Sequence, residues 1–292
     1  MKRNRFVLTR RARALGIVSL LLTASSAAQV PTPAEISRAG HVLRRCQHGA
    51  PLGDYGQVLP GGGNTQLANI FTYITTQTNP GGIVENAETT NLLGLYSMPT
   101  VVGASDPNHP LHPAQPGTWT IEDLADANIV RAVWSEAKLR EVMTGFWQEH
   151  FTTNYWKLRG YFFKKFSSPP YNNTTLYPGL NPAALASQYA AYFEWKQNDK
   201  FRLHALGKFS DLLLASAQGE AMMIYLDTVD SEAPTANQNY AREFLELSTC
   251  GRVSPFLTAT GWTLRFNYTF QDILTLSDVF SGWTLVDNAT AP

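Results

Sequence analysis

Three times along this chain a threonine stands three residues before an acid, at the head of a run with helical periodicity. These are Thr32–Glu35 in TPAE, Thr120–Asp123 in TIED and Thr269–Asp272 in TFQD. At that spacing the hydroxyl accepts a backbone N–H from the first helical turn. The carboxylate reaches back to the threonine N–H, so two orphan donors are satisfied together. Pro33 adds a preset φ at the first helical position. Behind the caps, Ile36, Ala39 and Leu43, and later Leu67, Phe71 and Ile74, recur at intervals of three and four. Ser135 offers a cap for EAKLREVMTGFWQEHF, and Asn181 with Pro182 opens AALASQYAAYFEW. Further helices are expected near 200–217, over 219–227 and from 238 onward. Residues 98–118 are proline-rich and read as a surface loop. In FLTATGWTLRFNY the period changes: Trp262, Leu264, Phe266 and Tyr268 alternate, the signature of a strand or hairpin. The expected fold is mainly α, a single multi-helix globular domain over 29–292 with a small β-hairpin near 256–268.

The first 28 residues stand apart. MKRNRFVLTRRAR is basic without an acid, ALGIVSLLLTA is apolar but short for a membrane span, and SSAAQ supplies small residues for cleavage after Ala28. The expectation is a signal peptide, and so a periplasmic, cell-surface or secreted protein. Arg10 and Arg11 form a twin-arginine pair, but Arg13 sits where that route wants an apolar residue, which favours general secretion. The segment carries six of the 23 basic residues (Lys2, Arg3, Arg5, Arg10, Arg11, Arg13) and none of the 23 acidic ones. The remainder has 17 basic against 23 acidic residues, a net charge of −6. Such a balance excludes the basic footprint of a nucleic-acid binder. No later apolar run is long enough to span a membrane. Export also exposes Cys46 and Cys250 to an oxidising compartment, making them one disulfide candidate.

Several polar residues could carry chemistry. In LREVMTGFWQEHF, Leu139, Met143, Phe146 and His150 fall on one stripe. His150 is then either a core histidine with its hydrogen bonds satisfied or a ligand or general base in a cavity. His204, Lys208 and Asp211 share a polar face in HALGKFSDLLL. Asp227 ends MMIYLD, where a carboxylate opposes the helix dipole and wants a basic partner. In NQNYAREFLELSTCG, Asn239, Glu243, Glu246 and Cys250 lie at i, i+4, i+7 and i+11, and Arg242 can pair with Glu246. That face is a solvated surface, a buried polar network or a site. His109 and His112 stand among prolines without a nearby acid or thiol, which is poor for a metal. Asn172, Asn173, Asn267 and Asn288 match the glycosylation pattern. There is no G-x-S-x-G, H-E-x-x-H or phosphate-binding glycine loop.

Four segments in order, LREVMTGFWQEHF, HALGKFSDLLLASAQGEAMMIYLD, NQNYAREFLELSTCG and YTFQDILTLSDVFSGWT, resemble the bacterial family catalogued as domain of unknown function eighteen-hundred (DUF1800). HVLRRCQHGAP is similar to that family's N-terminal motif. The resemblance implies an exported, largely helical protein without an assigned activity. It also implies that His150, His204, Asp227 and the run Asn239–Glu243 with Glu246 are family features. That disfavours a solvated face and leaves a buried network or a site. Ser248 stands where the motif has a histidine, and Cys46 and Cys250 depart from it as well, which favours their pairing. Residues 252–268 look like an insertion, and family members continue beyond the GWT segment, so the expectation is that Pro292 ends a shortened copy.

Two functions follow. The first is a non-catalytic exported protein that binds another exported protein or an envelope component. The second is a hydrolase-like or metal-dependent enzyme. It would use His150 with Glu243 and Glu246, which as two carboxylates and an imidazole could hold a metal ion, and Asp227 is a further catalytic candidate of the same polar cluster. Arg242 is expected in a buried or half-buried ion pair with Glu243, Glu246 or Asp227.

Overall fold

The computed structural model describes residues 31–49, 52–61, 63–95, 120–175, 179 and 181–285. Helices α1 (Pro33–Cys46), α2 (Leu52–Val58), α3 (Gly63–Gln77) and α4 (Ala87–Gly94) come first, then α5 (Ile121–Trp134), α6 (Lys138–His150) and α7 (Tyr155–Phe166). The longest helix, α8 (Pro182–His204), precedes α9 (Phe209–Ala217), α10 (Glu220–Tyr225) and α11 (Gln238–Glu243), which continues into a π-helical turn over Phe244–Thr249. Strands β1 (Val253–Thr258) and β2 (Gly261–Phe266) form an antiparallel ribbon before α12 (Phe270–Phe280). The chain is mainly α with one hairpin, as its periodicities imply. All three expected capping boxes form, at Thr32, Thr120 and Thr269.

Helix α8 is the hub, because it buries several faces. Ala186, Ala190 and Phe193 meet Leu158, Phe162 and Phe166 of α7, with Ala221 and Ile224 of α10 closing the cluster. Small residues in the first half of α8 let α7 approach closely, and Phe162 stacks on Phe193 with centroids 5.4 Å apart. Farther along, Phe201 packs with Phe151, Leu212, Met222, Tyr240 and Phe280, which joins α8 to α9–α12. Trp195 faces Leu124 and Ala127 of α5. A fourth cluster, Ala39, Leu43, Cys46, Val58, Ile70 and Tyr73, holds α1–α3 together and reaches Leu139 of α6.

Two expected elements differ. The single helix over 200–217 is broken: α8 stops at His204, the Gly207 N–H bonds back to the His204 carbonyl at 2.9 Å, and Lys208 begins α9. His204, Lys208 and Asp211 therefore share no helix face. In α6 the expected apolar stripe is not the buried one. Phe146 is 52% exposed, while Glu141 and Thr144 point inward. A polar network occupies that interface, so polarity did not mark the outside. The loop at 98–118, with His109 and His112, lies outside the described residues, as do the N-terminal segment to Ala28 and Asn288.

Candidate functional site

The site grows from how α11 is anchored. Asn237 caps it: its side-chain oxygen accepts the Asn239 N–H at 2.8 Å, and its amide donates to the Asp227 carbonyl at 3.2 Å. Tyr240 turns inward, its ring 4.6 Å from that of Phe280, and burial pushes its phenol up. With Tyr240 and Ala241 in the core, Asn239 is left exposed and Glu243 half-buried beside them.

The turn that follows then splits the expected face. Cys250 N–H bonds to the Leu245 carbonyl at 3.1 Å, five residues back, and the Thr249 hydroxyl bonds to the Phe244 carbonyl at 2.8 Å. This i→i+5 pattern is a frequent companion of functional sites. Asn239, Glu243, Leu247 and Ser248 line one cleft. Arg242 and Glu246 line a neighbouring recess with Arg252, Phe266 and Tyr268. There Arg242 pairs with Glu246, one of its expected partners, at 3.8 Å; with the two side chains 44% and 25% exposed, the pair is loose and no more than half-buried. The Tyr268 hydroxyl donates to the same carboxylate.

The first cleft encloses about 420 Å³ and is open to solvent. His150, at the C-terminal end of α6, forms one wall and is half-buried. Its ring lies parallel to Phe146 (6.2 Å) and edge-on to Phe151 (4.7 Å). Phe151, Met222, Tyr225 and Leu226 add apolar surface. Lys157 closes one end, its ammonium donating to the Tyr225 carbonyl at 2.6 Å and to Asp227 Oδ2 at 2.8 Å. Lys157 is thus the basic partner that Asp227 requires. Asp227 adopts a left-handed φ of 58°, which places its carboxylate at this position. Among the described residues, the side chains of His150, Asn239, Glu243 and Ser248 make no hydrogen bond or ion pair to the protein. Polar groups left free on an apolar-walled cleft are the arrangement expected of a ligand site.

Other expected site residues are dispersed. His204 ends α8 and does not line the cleft. Glu246 sits in the second recess, so it does not join His150 and Glu243 as a ligand set, and no three His, Cys, Asp or Glu side chains gather for a metal among the described residues. The Cys46–Cys250 pairing is not present. Cys46 is a free thiol buried in the α1–α3 cluster, where burial pushes its pKa up. Cys250 is free and exposed, its thiol directed to the Leu245 carbonyl at 3.3 Å. Asn172 and Asn173 lie on an exposed turn. The Asn267 amide is occupied at the base of the ribbon, donating to the Cys250 and Gly251 carbonyls at 2.7 and 3.0 Å.

The buried polar network exists, but elsewhere. Glu141 of α6 accepts from Arg140 Nε at 2.9 Å and from Arg202 Nε of α8 at 3.0 Å. Arg202 also donates to Asn198 and Asp199, each at 2.7 Å, and Asn198 donates to Gln148. Arg140 extends the chain of contacts to Glu85 at 3.1 Å. Charge spacing within one helix reveals the Asp199–Arg202 pair, but nothing local reveals that Glu141 is the buried counterpart of Arg202.

Fold and cleft together define a helical protein with an open, mixed-polarity cleft against its α11 π turn. The family model described as "Protein of unknown function (DUF1800)" matches residues 41–166 and 183–292, and the chain belongs to that family. No curated protein and no solved structure matches it.

Proposed function

We propose that this chain is an exported binding protein of the cell envelope, carried there by residues 1–28 as a cleaved signal, and that its ligand docks in the His150–Glu243 cleft. The observation that carries this reading is the set of unpartnered polar side chains, His150, Asn239 and Glu243, on one apolar-walled opening. A carboxylate, an amide and an imidazole suit a ligand rich in donors, such as a hydroxyl- or amine-bearing envelope component. Lys157 contributes little charge to it, because its ammonium is already held by Asp227.

A hydrolase-like enzyme is the second reading. It is favoured by Ser248, His150 and Glu243 lining the same cleft. A nucleophile needs a base within hydrogen-bond reach, and none of the three bonds to another.

Thermal shifts against a panel of envelope glycans, peptidoglycan fragments and peptides test the binding reading. A ligand at about a hundred times its Kd adds about 2.7 kcal/mol of stability. That shift should vanish in Glu243→Gln and His150→Ala, while the unliganded melting temperatures stay close to wild type. Turnover of any panel member, or stoichiometric metal by mass spectrometry that both variants lose, would replace binding with the enzyme reading. N-terminal sequencing of the protein recovered from its host should begin at Gln29. A chain retained intact in the cytoplasm would overturn export.

A further inference from the structure

The recess that holds Arg242 and Glu246 shares no lining residue with the His150–Glu243 cleft. It encloses about 340 Å³ and is open to solvent. Several elements build it. Arg242 and Glu246 come from α11 and its π turn, Arg252 and Phe266 stand at the base of the ribbon, and Phe270 and Ile273 belong to α12. The base of the ribbon is held in place. Gly251 takes a left-handed φ of 72°, which turns the chain from the π turn towards β1. The Asn267 amide closes that corner on the Cys250 and Gly251 carbonyls, and the Asn267 N–H bonds to the Arg252 carbonyl at 3.1 Å. The Arg252 backbone is thereby fixed beside the recess.

Neither arginine has spent its donors. Arg252 lies over the Phe266 ring at 5.9 Å, and among the described residues its side chain makes no hydrogen bond or ion pair. Arg242 meets Glu246 at 3.8 Å, too long for a hydrogen bond. The Glu246 carboxylate instead accepts from the Tyr268 hydroxyl. Desolvation and that carboxylate raise the Tyr268 phenol above its ordinary value, while Arg252 and Arg242 pull it down, so both cations stand around one hydroxyl. Asp272, farther along α12, is committed to the helix cap, accepting the Thr269 N–H and hydroxyl at 2.7 and 2.8 Å.

The charge balance of the lining selects the ligand. Two guanidinium groups face the single Glu246 carboxylate, which leaves one positive charge in excess. That matches a monoanion better than a doubly charged phosphate. A guanidinium fork fits a planar carboxylate with paired hydrogen bonds. Exposed ion pairs contribute little, so a ligand carboxylate can draw Arg242 from Glu246 at small cost. The rest of the lining is apolar. Ile273, 2% exposed, floors the recess, and the exposed rings of Phe266 and Phe270 flank it. Such walls take an apolar body attached to the acid.

We propose that this recess is a second binding site, which takes a monocarboxylate with an apolar body, the acid held by Arg242 and Arg252 and the body laid against Phe266, Phe270 and Ile273.

The test titrates the full chain with phenylacetate by isothermal calorimetry at low ionic strength. Acetate lacks the apolar body, phenylethanol lacks the charge, and inorganic phosphate supplies a different anion. Phenylacetate should bind saturably at a single equivalent, with each comparison probe weaker by about tenfold or more. Arg242→Gln and Arg252→Gln should each weaken phenylacetate by about tenfold. Their melting temperatures should match wild type, since neither guanidinium holds a hydrogen bond within the fold. In the wild-type chain the Nε–H magnetic resonances of both arginines should shift during the same titration, a readout that needs no variant. Absence of saturable phenylacetate binding would overturn the proposal. So would affinity retained when both arginines are replaced, or arginine resonances that stay still at saturation. Phosphate binding as tightly as phenylacetate would overturn the choice of anion, and phenylethanol doing so would reduce the recess to an apolar patch.

Discussion

Replacing Arg202 by methionine isolates the network that joins α6 to α8. The Arg202 side chain is 12% exposed and that of Glu141 4%. Removing the guanidinium leaves Glu141 with Arg140 as its remaining ion-pair partner, and uncompensated burial of a charge costs about 3–5 kcal/mol. Arg140 holds this to the lower part of that range. Asn198, 1% exposed, loses the donor at 2.7 Å to its side-chain oxygen, adding about 1–3 kcal/mol for an unsatisfied buried acceptor. The Asp199 contact adds little, because that carboxylate is 47% exposed. Neighbouring losses overlap, so the expected total is about 3–5 kcal/mol. Urea unfolding followed by far-UV circular dichroism reads it as a lowered midpoint at unchanged slope. Glu141→Leu combined with Arg202→Met should recover a large part of the loss, since apolar replacement of both partners removes the buried charge rather than stranding it. A loss below about 1 kcal/mol for Arg202→Met, or a double variant worse than the sum of its parts, would refute this account.

Two further substitutions probe the interior. Glu194 is buried, with one oxygen accepting from the Thr153 hydroxyl at 2.8 Å and the other without a partner among the described residues. Burial raises its pKa above the unfolded value, so its favourable contribution is complete below that unfolded value and fades as pH rises through the folded one. Glu194→Gln cannot ionise, so its stability relative to wild type should improve from pH 4 to pH 8 in paired thermal melts. A difference that is flat or reversed would contradict the assignment. Phe162→Ala should cost about 3–5 kcal/mol because the ring is 2% exposed and stacked on Phe193. Phe163→Ala, one residue on and 46% exposed, should cost less than about 1 kcal/mol in the same denaturant titration.

Much of the helical frame was legible locally. A threonine three residues before an acid predicts a helix start from chemistry contained within one turn, and all three such starts are present. The alternation around Trp262 likewise announced the ribbon, although its limits are 253–266 rather than 256–268. Hydrophobic periodicity misled at α6, because the inward partner there is a carboxylate neutralised by arginines from its own helix and from α8. Polarity marks a surface only when the partner is water. It also misled at 200–217, where the Gly207 turn interrupts an apolar pattern that reads as continuous.

For the candidate site, the sequence by itself determined which residues were available: His150, Asn239, Glu243, and Ser248 as a departure from the family motif. It also determined that Asp227 wanted a cation. Only the tertiary structure decided that Lys157, seventy residues earlier, supplies it, and that Glu246 belongs to a different recess from Glu243. The physical reason is that distant elements close each recess, α6, α7 and α10 on the Glu243 side and the ribbon with α12 on the Glu246 side, around a turn whose hydrogen bonding is also altered. Carbonyls of Phe244 and Leu245 are taken by groups five residues on rather than four. That choice depends on Thr249, Cys250 and Gly251 and on how Tyr240 and Phe244 seat against α12, which no helical wheel contains.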